Sequence, residues 1–176
     1  MPKATSTTQK NASGFINILG IDCGTAITGW AILELDIRKK QPKLLNFGTI
    51  TTHKFTPEPM RLVELHDHLE EILEEYKPSE LAIEEIFFSK NVKTAIKVAQ
   101  ARGVVLACCA KDGINCEGYT PNTIKEVITG HGAAEKSQIQ FVLSKVFKLS
   151  SEKFQDDAAD AIAVAYCHYL RKIQNK

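Results

Sequence analysis

The sequence has no apolar run near the roughly 20 residues that a membrane-spanning helix requires. Its opening stretch, MPKATSTTQKNASG, lacks the hydrophobic centre of a secretory signal, and residues 1–14 are expected to form a disordered polar tail. A disulfide framework or zinc ribbon is equally unsupported. The five cysteines (Cys23, Cys108, Cys109, Cys116 and Cys167) are odd in number and show no Cys-x-x-Cys spacing, which fits a reducing, cytoplasmic setting. A serine hydrolase or P-loop enzyme has no motif to rest on, since there is neither a Gly-x-Ser-x-Gly elbow nor a Walker loop. Net charge is nearly absent too, at +1.

What remains is an ordinary globular composition, with 44% apolar and 24% charged residues, which excludes disorder, collagen-like sequence and coiled coil as the main state. A chain of 176 residues has length for one core, so residues 15–174 are expected to be a single domain. At this size roughly 70% of the unfolded surface is buried on folding, so no staple is needed. The small net charge hides a segregated pattern. Residues 58–85 carry 10 acidic and 2 basic side chains, whereas residues 86–153 carry 10 basic and 5 acidic ones. An acidic segment thus abuts a basic one that could meet a polyanion.

Apolar periodicity locates the elements. Phe15–Asp22 reads as a buried strand ending in a turn, and Thr28–Leu35 and Leu44–Thr51 as the next two strands, with Arg38–Lys40 and Pro42 between them. Met60–Tyr76 changes to helical spacing. Leu62, Leu65, Leu69, Ile72, Leu73 and Tyr76 share one stripe and glutamates fill the rest, so most of the acidic block is the wet face of this helix, with Thr56-Pro57 as its start signal. Glu80–Phe88 reads as a fourth strand and Asn115–Tyr119 as a fifth. Helices are expected from after Asn91 to about Cys109, and over Pro121–Thr129, Glu135–Phe147 and Asp156–Ile173. The order predicts an α/β fold, a mixed sheet of about five strands flanked by helices.

Four carboxylates stand in apolar or small-residue surroundings where a solubilising charge is out of place. Asp22 ends the first strand, Glu84 with Glu85 beside it ends the fourth, and Asp157 and Asp160 lie three apart on the last helix and share a face. The C-terminal edge of a sheet is where α/β folds place ligands. Acids gathered there repel unless cations neutralise them, and oxygen-only ligands suit magnesium or manganese, two of which support in-line phosphoryl displacement. The histidines offer little competition: His53, His66, His68 and His168 read as structural or solvated, and His131, between Gly130 and Gly132, is a candidate site-lining residue. Vicinal Cys108 and Cys109 read as core. Basic residues follow the second acid. Lys90, Lys93 and Lys97 fall at helical spacing beside Phe87 and Phe88, with Asn91 and Arg102 nearby and Lys125 and Lys136 later, which favours a phosphate-tracking surface with an aromatic for base stacking.

Seven blocks in order, ILGIDCGT (18–25), Thr28-Gly29, AIEEIFFSKN (82–91), QARG (100–103), YTPN (119–122), GAAEKSQ (132–138) and DAADAIA (157–163), resemble the RuvC family of Holliday-junction resolvases. The resemblance implies a ribonuclease H-like fold and a homodimeric, magnesium-dependent endonuclease of recombination and repair that nicks two opposed strands of a four-way DNA junction, with the RuvA–RuvB branch-migration complex as partner. It implies Asp22, Glu84 rather than Glu85, Asp157 and Asp160 as metal-binding acids, Phe87 as a junction-contacting aromatic, and Lys125 and Lys136 near the scissile phosphate, Lys136 among the catalytic groups. Two features depart from the family pattern. Cys23 stands where the family has proline, placing a thiol open to oxidation beside the site, and the N-terminal extension is longer. Actin-like ATPases and sugar kinases carry a similar Asp-x-Gly-Thr loop but need two such domains. Another nuclease on the same fold would lack the AIEEIFFSKN and QARG blocks, and an inactive junction-binding module would have lost an acid.

Overall fold

The computed structural model describes residues 14–24, 26–86, 92–149 and 156–174. The polar stretch before them, and Phe87, Lys90 and Asn91, lie outside the described residues. Five strands, β1 (Phe15–Cys23), β2 (Ile27–Asp36), β3 (Gln41–Thr51), β4 (Glu80–Glu84) and β5 (Asn115–Tyr119), form one sheet in the order β3-β2-β1-β4-β5. The first three make an antiparallel meander, and β4 and β5 add in parallel beside β1.

Helices cover both faces. On one side α1 (Glu58–Tyr76) and α2 (Val92–Lys111) pack Leu65, Leu69, Val105 and Cys109 against Leu19, Ile21 and Ile83. On the other, α3 (Pro121–Thr129), α4 (Lys136–Phe147) and α5 (Asp156–Gln174) pack Ile124, Leu143, Ile162 and Val164 against Ile18, Leu33 and Ala82. Strand alternation separates the two cores: Ile18 faces α5 while Leu19 and Ile21 face α1 and α2. Among the described residues no helix is long and apolar enough to cross a membrane.

Several boundaries differ from the expectation. Pro42 lies inside β3, paired with Leu35, because β3 is an edge strand where a missing N–H is tolerated. Thr56 is not the cap of α1; Pro57 takes that place without a side-chain bond, and its carbonyl accepts from Met60. Strand β4 stops at Glu84 instead of running on through Glu85 and Ile86, since its neighbour β5 ends opposite it at Tyr119.

At the far end of α5 a partly buried polar chain ties three elements together. Tyr119 Oη lies 2.7 Å from His168 Nδ1, His168 Nε2 lies 2.7 Å from Glu80 Oε2, and Lys172 Nζ pairs with Glu80 Oε1. Burial pushes the Glu80 carboxyl up, but His168 and Lys172 together hold it below its ordinary value. His168 is therefore structural, as expected. A depressed carboxyl stabilises the fold above its unfolded pKa, and that contribution is lost as pH falls through the folded value. Glu80→Gln should accordingly cost stability at pH 7 and progressively less below about pH 4. Equal melting-temperature losses at pH 7 and pH 3 would contradict this.

Candidate active site

Strand register decides which carboxylates meet. Ile21 of β1 is level with Ile83 of β4, and both enter the core under α1 and α2. The next residue on each strand, Asp22 and Glu84, consequently points to the opposite face, the one that α5 covers. The two acids end adjacent strands side by side.

Helix α5 brings the other two through glycine. Asp22 pairs with Gly29 across β1 and β2, and a Cβ on Gly29 would lie 2.0 Å from the Asp157 carbonyl oxygen. The first turn of α5 thus rests directly on the backbone opposite Asp22. A Cβ on Gly20 would lie 2.4 Å from the Ala161 carbonyl oxygen and 2.6 Å from Ala165 Cβ, so the same helix is seated in a second notch. Ala158, Ala159, Ala161 and Ala165 are all buried, which gives α5 a surface thin enough for this approach.

The acids act on one another electrostatically. Burial is the main cause that raises the Asp22 carboxyl to about 6, with the charges of Asp160 and Asp157 adding and Lys136 opposing. Glu84 is raised to about 7 by burial, then by Asp22 and Asp160, against Lys136 and Lys125. Burial also raises Asp160, although Lys136 donates to its Oδ2 at 2.8 Å and pulls the other way. Lys136 reaches Asp156 as well, at 3.7 Å. Partly buried oxygen donors carrying surplus negative charge suit a hard divalent cation, so the donor chemistry fits magnesium or manganese. Among the described residues, however, no three His, Cys, Asp or Glu side chains gather closely enough to cage an ion alone.

The raised carboxyls make a stability prediction for the metal-free protein. Between about pH 4 and 7 the folded chain holds protons on Asp22 and Glu84 that the unfolded chain has released, so these groups favour folding at low pH and lose that effect as pH rises. Glu84→Gln should flatten the decline in melting temperature from pH 5 to 8, and magnesium at pH 8 should raise the wild-type melting temperature more than the variant's. A variant with the wild-type slope would contradict the coupling.

Local signals seat the basic groups. Thr120 caps α3 by accepting from Thr123 N at 3.1 Å, which sets the helix that carries Lys125. Gln138 Oε1 accepts from Glu135 N at 2.8 Å and fixes the start of α4, where Lys136 is the first residue. Lys125, Lys136, Glu84 and Asp160 border one cleft. Lys93 and Lys97 are exposed on α2, and Lys97 borders a small cleft with Gly24, Thr52 and Arg61.

Other expected residues fall elsewhere. Arg102 lies about 140° around α2 from Lys97, and its Nε is buried without a hydrogen-bond partner, so it does not share the lysine stripe. His131 forms a local turn, its Nδ1 accepting from Ala133 N at 3.2 Å, and does not line the cleft beside Glu84 and Asp160. Cys23 is half-buried beside Asp22, and burial, then the Asp22 charge, push its thiol up to about 12, which disfavours the reactive thiolate. The sequence reading missed the seating roles of Gly20 and Gly29, for which the alanine-rich start of α5 was the available signal.

The chain is similar to known proteins over most of its length. The family model for crossover junction endodeoxyribonuclease RuvC matches residues 18–168. A protein of that name from Syntrophomonas wolfei is 44% identical over 87% of this chain and 88% of its own length, and one from Petrotoga mobilis is 45% identical over 90% and 97%. Thermus thermophilus RuvC in complex with a Holliday junction substrate superposes with a TM-score of 0.84 at 26% identity, covering 91% of this chain and 96% of its own. A yeast mitochondrial Holliday junction resolvase shares the fold alone, with a TM-score of 0.62 at 14% identity. The expected ribonuclease H-like mixed sheet is borne out. With its family model spanning nearly the whole described fold and relatives this close, the chain belongs to the RuvC family of crossover junction endodeoxyribonucleases.

Proposed function

We propose that this chain is a structure-specific endonuclease that resolves four-way DNA junctions by paired nicking of opposed strands in recombination and repair. The observation that supports it is that Asp22 and Glu84 end neighbouring strands side by side, that α5 starts on the backbone opposite Asp22, and that Lys125 and Lys136 border a cleft with Glu84 and Asp160. Asp22, Glu84, Asp157 and Asp160 would hold two magnesium ions, with manganese as a substitute. Such ions, when bound, activate a water and stabilise the leaving oxygen at phosphorus. Lys136, tethered by Asp160, and Lys125 across the cleft offset the charge that builds on the scissile phosphate. Residues 15–174 act as one unit, in the cytoplasm.

Affinity rests on the lysines of α2, together with Lys90, Asn91 and Phe87 just before it. Lys93→Ala or Lys97→Ala should each flatten the slope of log affinity against log salt by about 0.9. Unchanged slopes for both would remove this stripe from the DNA footprint.

One chain supplies one set of acids, whereas paired nicking needs two sites related by a two-fold axis. A second copy is therefore the first partner, with the RuvA–RuvB complex as the second. Sedimentation should give a dimer of about 39 kDa, twice the 19.5 kDa chain. The function itself is tested on junctions labelled separately on each strand: nicks should fall on two opposed strands, and nicks confined to one strand or spread over all four would refute resolution.

A further inference from the structure

Asp157 and Asp160 would hold metal ions, but Asp156 beside them is not one of the four acids. Its contacts lead to Lys136. On α4, Lys136 and Gln140 lie one turn apart, and on α5, Asp156 and Asp160 lie one turn apart, so each pair shares a helix face. Lys136 Nζ donates to Asp160 Oδ2 at 2.8 Å. Gln140 Nε2 donates to Asp156 Oδ1 at 3.2 Å, and the same oxygen lies 3.7 Å from Lys136 Nζ. One carboxylate oxygen of Asp156 is thus shared between a neutral donor that anchors it and the ammonium group beside it.

The two ties on Lys136 differ in what a metal ion does to them. Asp160 is one of the acids that would hold an ion, so the charge that keeps Lys136 on it is the charge an ion would claim. Asp156 stands outside that set, and its bond to Gln140 does not depend on the ions. Burial alone would lower the Lys136 ammonium, yet it is raised, first by the bond and charge of Asp160 and then by the charge of Asp156, ahead of that of Asp157. Asp156 is therefore the acid that still draws on Lys136 when Asp160 is engaged.

We propose that Asp156, anchored by Gln140, is a positioning residue that keeps Lys136 beside the scissile phosphate once Asp160 is engaged with metal. The proposal rests on the placement of Lys136 near that phosphate given above. Both Asp156 and Gln140 act through the lysine. The Asp156 side chain is 75% exposed and that of Lys136 47%, so the tie is wet and its effect modest. An exposed pair of this kind changes an equilibrium by no more than about fivefold.

Double-mutant cycles on single-turnover nicking test this. Asp156→Asn can still accept from Gln140 but loses the charge that holds Lys136, and Gln140→Ala releases Asp156 without altering any charge. Each should slow nicking about three- to fivefold at saturating magnesium and junction. Lys136→Ala should slow it at least about 10²-fold, and in that background neither second substitution should slow it further. Loss by the same factor in both backgrounds would overturn the proposal, because the two residues would then act through the fold or the ions. Unchanged rates for both variants, beside a slow Lys136→Ala protein, would overturn it as well. A Lys136→Ala protein as fast as wild type would instead overturn the placement of Lys136, and the proposal with it. A second readout needs no DNA. With magnesium alone, acylation of the Lys136 amine by a succinimidyl ester is followed by mass spectrometry. It should be about three- to fivefold faster in Asp156→Asn, since loss of a nearby negative charge leaves more of the amine unprotonated. Equal labelling of variant and wild type would overturn the proposal.

Discussion

Asp22→Asn is expected to abolish most cleavage and leave junction binding intact or slightly tighter. The substitution keeps volume and removes one charge from a set in which Asp157 and Asp160 both act on Asp22. An ion would lose a ligand, while repulsion among the remaining acids, and between them and a phosphate, would fall. The nicking rate should drop by at least about 10²–10³, the loss typical for removal of one transition-state stabilising group. Calcium should mimic the variant in the wild type, supporting binding without turnover, because its longer and looser coordination holds an attacking water poorly. Loss of binding as complete as loss of cleavage would make Asp22 a structural residue.

Gly29→Ala should be nearly as damaging by a different route. The added Cβ would sit 2.0 Å from the Asp157 carbonyl oxygen, and neither partner has a flexible end that can yield, because both are backbone. Either β2 bends away or the first turn of α5 lifts off the sheet. Overpacking of this kind costs roughly 3 kcal/mol at the upper end of its usual range, which in a chain of this size lowers the melting temperature by ~6–12 °C. The functional loss should exceed what stability explains, since a misplacement of about 1 Å near the chemistry costs ~10²-fold in rate. Nicking well below wild type at a temperature where the variant is fully folded, with junction affinity preserved, is the expected signature. Full activity in a folded Gly29→Ala protein would mean that the α5 acids do not need this seat.

The fold was legible because its two periods are clean. Leu62 to Tyr76 mark a helix that the structure contains, and the apolar run from Phe15 to Asp22 marks the central strand. Sheet context decided the rest: Pro42 joined β3 because that strand lies at an edge, and β4 ended at Glu84 because β5 gave it no further partner. The four acids were legible as charges in apolar surroundings. Spacing alone could not say that Asp22 and Glu84 share a face, which follows from the parallel pairing of Ile21 with Ile83. Nor could it show that Gly20 and Gly29 seat α5, since close backbone approach depends on which helix lands on which strand. Arg102 was grouped with Lys93 and Lys97 by proximity in sequence, and helical rotation takes it off their stripe. The link from Glu80 through His168 to Tyr119 spans 88 and 49 positions of sequence, and no local pattern announces it.

The most direct test of the central claim compares one substrate pair under two conditions. A four-way junction and a linear duplex of matched sequence are each incubated with excess wild-type protein, with magnesium and with a chelator, and initial nicking rates are measured. The account predicts fast nicking of the junction with magnesium, at least about 10²-fold slower nicking of the duplex, and none of either with the chelator. Equal rates on the two substrates, or nicking of the junction that persists in chelator, would contradict it.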